Sequence, residues 1–132
     1  MATKTQLDVM ARHYVIACIW ADAPENTSPR VTGAALAKAR ETCTRFVDAI
    51  GPLFDAAMAR NGYGRHPDCG TIEPGCAAMG HDLYLTSAGH GVGFWDRKEL
   101  GDELGAALSE FCGWRKTIPE PCPQFYRGWL YL

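Results

Sequence analysis

No excess of charge of either sign marks this chain: 13 Lys and Arg stand against 15 Asp and Glu, a formal net charge of −2. That balance excludes a broad phosphate-binding surface, which needs clustered Lys and Arg. It excludes a polyanion mimic as well, though a local patch of either sign stays compatible with it. Long apolar runs are missing too. Tyr14 to Ala21, the longest early run, falls far short of the roughly 20 residues a membrane span requires. The opening residues Met1 to Gln6 are polar and lack the apolar core of a signal peptide. The expected location is therefore the cytoplasm, with no membrane partner. There the six cysteines should be mostly free thiols. Cys18, Cys43 and Cys112 fall within helical patterns, where a buried thiol behaves as a small hydrophobe.

What is present suits one domain over 1–132: 132 residues of which 47% are hydrophobic, enough to bury a core without metal or disulfides. Leu7, Met10, Ala11, Tyr14 and Cys18 form one stripe and predict a first helix from about Thr5 to Trp20. Leu36, Ala39, Cys43, Phe46, Val47, Ile50, Phe54 and Ala57 predict a second, capped at Ser28 or Thr32 and running to about Arg60. Gly51-Pro52 interrupts it and predicts a kink or two abutting helices. Residues 61–79, rich in Gly and Pro with two cysteines, show no period and read as a long loop, functional or a tolerated insertion.

Gly80-His81-Asp82-Leu83-Tyr84-Leu85-Thr86, followed by Gly89-His90-Gly91-Val92-Gly93-Phe94-Trp95-Asp96, reads as a β-hairpin turning at Ala88-Gly89. That register puts Leu83, Leu85, Val92 and Phe94 on a core face with Phe46, Ile50, Leu104 and Leu108. Asp82, Tyr84 and Trp95 then share the opposite face. Asp96-Arg97-Lys98-Glu99 has capping-box character and predicts a helix carrying Leu100, Leu104, Ala107, Leu108 and Phe111. Pro119, Pro121 and Pro123 keep the chain extended, and the aromatic ending from Gln124 to Leu132 reads as a last strand. The expected fold is α+β in the order α-α-β-β-α-β, a three-stranded antiparallel sheet with about three helices mainly on one face.

These two segments carry a resemblance. The chain resembles a family of small phage- and prophage-encoded proteins with a GHDFWLT–NGHGAGFWD-type hairpin motif, and Ile19-Trp20-Ala21-Asp22, Cys43, Phe46, Leu104 and Leu108 extend the likeness over most of its length. It departs from the family at Ala88-Gly89, in place of Asn-Gly, and in the length of segment 61–79. The resemblance implies life in an infected or lysogenic bacterium. It carries over no catalytic residue. Accessory proteins of such elements often disable host machinery, including CRISPR and restriction systems.

Chemical constellations are thin. His66, Cys69, Cys76 and His81 offer zinc-type ligands, but their spacing lacks the usual close Cys pair, so no metal and no cofactor is expected. On the hairpin reading, His90 sits at the turn and His81 with Asp96 at the open end, roughly 15–20 Å apart. They serve no common reacting centre, and His81 is expected to hydrogen-bond Asp96 or nearby backbone. Gly89-x-Gly91-x-Gly93 lacks the strand–loop–helix setting of a phosphate loop. The aromatics Tyr84, Trp95, Phe125, Tyr126, Trp129 and Tyr131 remain, either as a second apolar layer or as a binding surface. The expectation is a non-enzymatic binding protein, with Asp82, Tyr84 and Trp95 as its partner surface and a host or phage protein as partner. Nucleic acid and a homodimer stay among the alternatives. So do a small enzyme using His81, Asp82 or the Cys-rich loop, and a self-assembling phage component.

Overall fold

The structure, a computed structural model, describes residues 2–64 and 73–132. Among them are five α-helices and a small sheet: α1 Lys4–Asp22, β1 Arg30–Val31, α2 Gly33–Ile50, α3 Leu53–Met58, α4 Pro74–Ala88, α5 Asp102–Ser109, β2 Gln124–Tyr126 and β3 Trp129–Tyr131. A 3-10 turn at Phe94–Asp96 stands between α4 and α5.

The first helices follow their local chemistry. Thr3 caps α1 through a capping box, its hydroxyl accepting from the Gln6 backbone while the Gln6 side chain accepts from the Thr3 backbone. Thr32, not Ser28, caps α2 by accepting from the Ala35 backbone at 3.0 Å. The interruption at Gly51-Pro52 produces two abutting helices, α2 and α3.

The segment expected to be a hairpin is instead the second half of α4, its C-cap and the 3-10 turn. The helix is buried on nearly all sides, so it shows no polar stripe, and an apolar alternation within it mimics a strand. Gly89, expected at a hairpin turn, is a left-handed helix cap (φ 74°). Residues 74–79, expected within the long loop, form the first turns of the same helix. Residues 65–72, including His66 and Cys69 of the weighed zinc set, lie outside the described residues.

Helices α1 and α4 pack side by side. Gly80 makes the approach possible: a Cβ there would lie 2.1 Å from the Met10 carbonyl oxygen. Tyr14 meets Tyr84 edge-on, with ring centroids 5.1 Å apart, and Asp22 meets His90. Since Met10, Tyr14 and Asp22 pair in turn with Gly80, Tyr84 and His90, the last just past the α4 cap, the two helices run parallel and end side by side.

The core is close to the expected list although its scaffold differs. Leu83, Leu85, Phe94, Phe46, Ile50, Leu104 and Leu108 are buried, with Phe46 stacked on Phe94 at 5.5 Å. Val92 is the exception at 41% exposure, because it follows the helix cap rather than facing Leu85. The expected cap at Asp96 also shifts: α5 begins at Asp102 after Gly101, while Arg97 turns back toward α4.

The sheet is mixed rather than antiparallel, in the order β1-β3-β2. The C-terminal segment makes its own hairpin, β2 against β3, through Arg127-Gly128, both at positive φ (50° and 82°). β1 joins β3 in parallel, and the Thr32 hydroxyl donates to the Leu130 carbonyl at 3.0 Å.

Candidate functional site

Most of the segment from Gly80 to Arg97 is accounted for by packing. Asp82, 1% exposed, accepts from Arg97 Nε at 2.8 Å and Nη2 at 2.5 Å through Oδ1, and from the Tyr63 hydroxyl at 2.9 Å through Oδ2. That hydrogen-bonded carboxylate is the main reason the Arg97 guanidinium is held even more firmly protonated than usual. The Thr86 hydroxyl accepts from the Phe94 backbone at 3.2 Å, and a Cβ on Gly93 would lie 2.1 Å from that same hydroxyl oxygen. Asp82, Thr86, Gly93, Phe94 and Arg97 thus clamp the 3-10 turn onto α4.

The expected surface of Asp82, Tyr84 and Trp95 is therefore not one exposed face. Asp82 and Tyr84 lie on the helix and are buried, Tyr84 at 0% exposure, and only Trp95 reaches solvent, at 43%. A helix separates residues that a strand would align, which removes the geometric basis of that grouping.

Two motif side chains are left over, His81 and His90. His81 is half-buried on α4, its ring 5.9 Å from that of the exposed Trp20, and burial, the largest cause, pushes its imidazole below the usual value. The expected bond to Asp96 is not made; among the described residues the His81 side chain forms no hydrogen bond. His90 follows the α4 cap and places Nε2 3.0 Å from Asp22 Oδ2. The same oxygen accepts a hydrogen bond from the Tyr84 hydroxyl. Burial first, and then that bond, push the Tyr84 phenol far up, so Tyr84 stays a donor.

Asp22, Tyr84 and His90 line one side of an open cleft of about 350 Å³, with Ala88, Glu120, Pro121, Pro123 and Phe125 around the rest. In chemical terms this is an imidazole held by a carboxylate at an open cleft. Sequence spacing gave no sign of it, because its two halves are 68 residues apart. Among the described residues that line the cleft there is no cysteine. Burial pushes Cys18 up to about 11 and Cys43, Cys76 and Cys112 each up to about 12, which suppresses the thiolate. Among the described residues no group of three or more His, Cys, Asp or Glu is placed to hold a metal ion.

The second candidate is the outer face of the small sheet. Alternation turns Leu130, Phe125 and Val31 inward and leaves Arg30, Gln124, Tyr126, Trp129 and Tyr131 outward. The register aligns Arg30 with Trp129 and Trp129 with Tyr126, one row across all three strands. The Arg30 guanidinium lies 5.8 Å from the Trp129 ring centre, and that of Arg127 lies 5.3 Å from the Tyr126 ring centre. Among the described residues neither arginine forms an ion pair. The aromatic ending signalled this surface in the sequence; the place of Arg30 in the row did not show, since β1 has only two residues.

No helix among the described residues is long and apolar enough to cross a membrane. No family model matches the chain, and neither a curated protein nor a solved structure matches it.

Proposed function

We propose that this chain is a small phage- or prophage-encoded accessory protein that acts in the bacterial cytoplasm by binding a host macromolecule, and that the outer sheet face is its contact surface. The motif resemblance supports the origin; a host defence system such as CRISPR or restriction fits that origin as target. The binding reading rests on one observation, the solvent-facing row of Arg30, Trp129 and Tyr126 with Tyr131 beside it and Arg127 over Tyr126. Trp, Tyr and Arg are the residue types that dominate binding hot spots. The test is capture of host material on immobilised protein, repeated with Trp129→Ala and Tyr126→Ala. A hot-spot ring contributes at least about 2 kcal/mol, so each variant should lose roughly thirtyfold in affinity with its fold intact. Capture that both variants retain in full would remove the face from the reading.

A second reading is favoured by the Asp22–His90 pair in its cleft: a small enzyme performing proton transfer. It predicts a turnover that His90→Gln abolishes and that the sheet-face variants leave unchanged.

A further inference from the structure

The chemistry of the sheet face points further, to the class of its partner. We propose that the face binds an unpaired stretch of single-stranded nucleic acid, an inference that rests on the reading of this face as the contact surface. Three rings are available. Trp129 is opposite Tyr126 on the neighbouring strand, and Tyr131 is two residues further along Trp129's own strand, on the same side. Strand spacing puts such neighbours about 5 Å apart across the sheet and about 7 Å apart along it. Successive bases of a flexible strand can reach rings so placed, and every base offers a π-face for stacking.

The charges on the face have one sign. The three strands and the Arg127-Gly128 turn carry Arg30 and Arg127 and no Asp or Glu. Each guanidinium lies near a ring, and among the described residues neither is paired with a carboxylate, so its N–H donors stay available. A planar guanidinium matches phosphate geometry and stacks on aromatic faces at the same time. An apolar protein surface would cover the rings and leave two guanidinium ions desolvated without counter-charge, a costly arrangement. A nucleic acid strand supplies flat rings and anions in alternation. A duplex does not, because its base faces are already stacked and its capture relies on the massed Lys and Arg that a chain of net charge −2 lacks.

The footprint is small, two phosphates for two arginines. On a single strand the logarithm of affinity should fall with the logarithm of salt at a slope of about −1.4. The test is fluorescence anisotropy with labelled oligo-dT and oligo-rU of about 12 nucleotides at low salt, with a duplex of equal length as comparison. Expected results are binding to the single strands in preference to the duplex and a salt slope near that value. Truncating one ring should cause a roughly five- to 150-fold loss. Trp129→Ala is paired with Trp129→Leu, which keeps apolar packing without the ring, and both are checked for unchanged melting. Arg30→Ala combined with Arg127→Ala should flatten the salt slope. No single-strand binding, binding indifferent to both Trp129 variants, or equal binding to the duplex overturns the proposal. A captured host protein that survives nuclease treatment and is lost with Trp129→Leu also overturns it while keeping the contact-surface reading. A dimer that Trp129→Leu dissolves, with no nucleic acid or host protein bound, overturns both.

Discussion

Two aspartates in this molecule sit in nearly the same chemical company and come to different ends. Asp82 accepts a tyrosine hydroxyl, from Tyr63, and a basic group, from Arg97. Asp22 accepts a tyrosine hydroxyl, from Tyr84, and faces a basic group, His90. The Asp82 carboxylate is shut away, whereas the side chains of Asp22 and His90 are 30% and 31% exposed at the rim of a cleft. Guanidinium is a permanent cation with a fixed fork of donors; imidazole offers two ring nitrogens, either of which can donate or accept. One cluster is consequently a clasp that holds the 3-10 turn to α4. The other is a pair that solvent and small molecules can reach. Burial and the identity of the basic partner, rather than the carboxylate, decide between a mechanical and a chemical role.

The largest expected effect tests the clasp. Asp82→Ala leaves Arg97 without its partner and should cost about 3–5 kcal/mol in urea unfolding. Phe94→Ala, in the turn the clasp secures, should cost a comparable amount, about 3–5 kcal/mol, as a purely apolar deletion. Replacing both charges, Asp82→Leu with Arg97→Met, should recover a large part of the first loss. A loss under about 1 kcal/mol for Asp82→Ala would erase the contrast between the two aspartates. Asp22→Asn is the matched change at the open cluster and should cost about 1 kcal/mol, because water takes over its interactions.

Acid should sharpen the contrast through the histidines. Burial is the largest cause that lowers both His81 and His13; for His81, Asp82 opposes it while Arg97 and His13 add to it. Folded values below the unfolded value of about 6.5 mean that the unfolded chain takes up these protons first as pH falls. The stability from keeping both rings neutral is whole above that pH and is lost as pH drops below it. Melting temperature should therefore fall between about pH 7.5 and 5.5, and His81→Gln should make that fall shallower. An unchanged slope would mean that His81 takes no part. The smallest expected effect lies on the outer sheet face: Trp129→Leu should alter stability by no more than about 0.5 kcal/mol, as solvent-facing substitutions do. A large loss there would make the sheet face a second core.

Local signals carried much of the helical frame. The stripes of α1 and α2, the Thr32 cap and the break at Gly51-Pro52 are all set within a few residues, and the structure follows them. Helix α4 defeated the same reasoning because it is buried on nearly all sides, its polar Asp82, Thr86 and Ser87 included. Leu83 and Leu85 alternate with residues that are themselves buried, and Gly89 serves a helix cap as readily as a hairpin turn. Burial survived the error: Leu83, Leu85 and Phe94 belong to the core in either scaffold. The grouping of Asp82, Tyr84 and Trp95 did not, since it depended on strand alternation. Features built from distant positions, Asp22 with His90 and Arg30 with Trp129, left no local trace. They follow from parallel helix packing and parallel strand pairing, which periodicity does not encode.

The pairing of β1 with β3 also bears on the order in which the molecule assembles. The Thr32–Leu130 hydrogen bond closes a separation of 98 residues. Closing a loop of that length costs about 2 kcal/mol more than closing one of ten residues, and long-range contacts of this kind slow folding. The α1–α2 contact spans a far shorter stretch of chain. The row of Arg30, Trp129 and Tyr126 is therefore expected to be the last part to form, after the helices have brought the two segments within reach. In a stopped-flow refolding experiment, a probe at Trp129 should lag the helical circular dichroism signal. A partner that reads this face would then engage only chains that have finished folding, a form of timing that needs no separate switch.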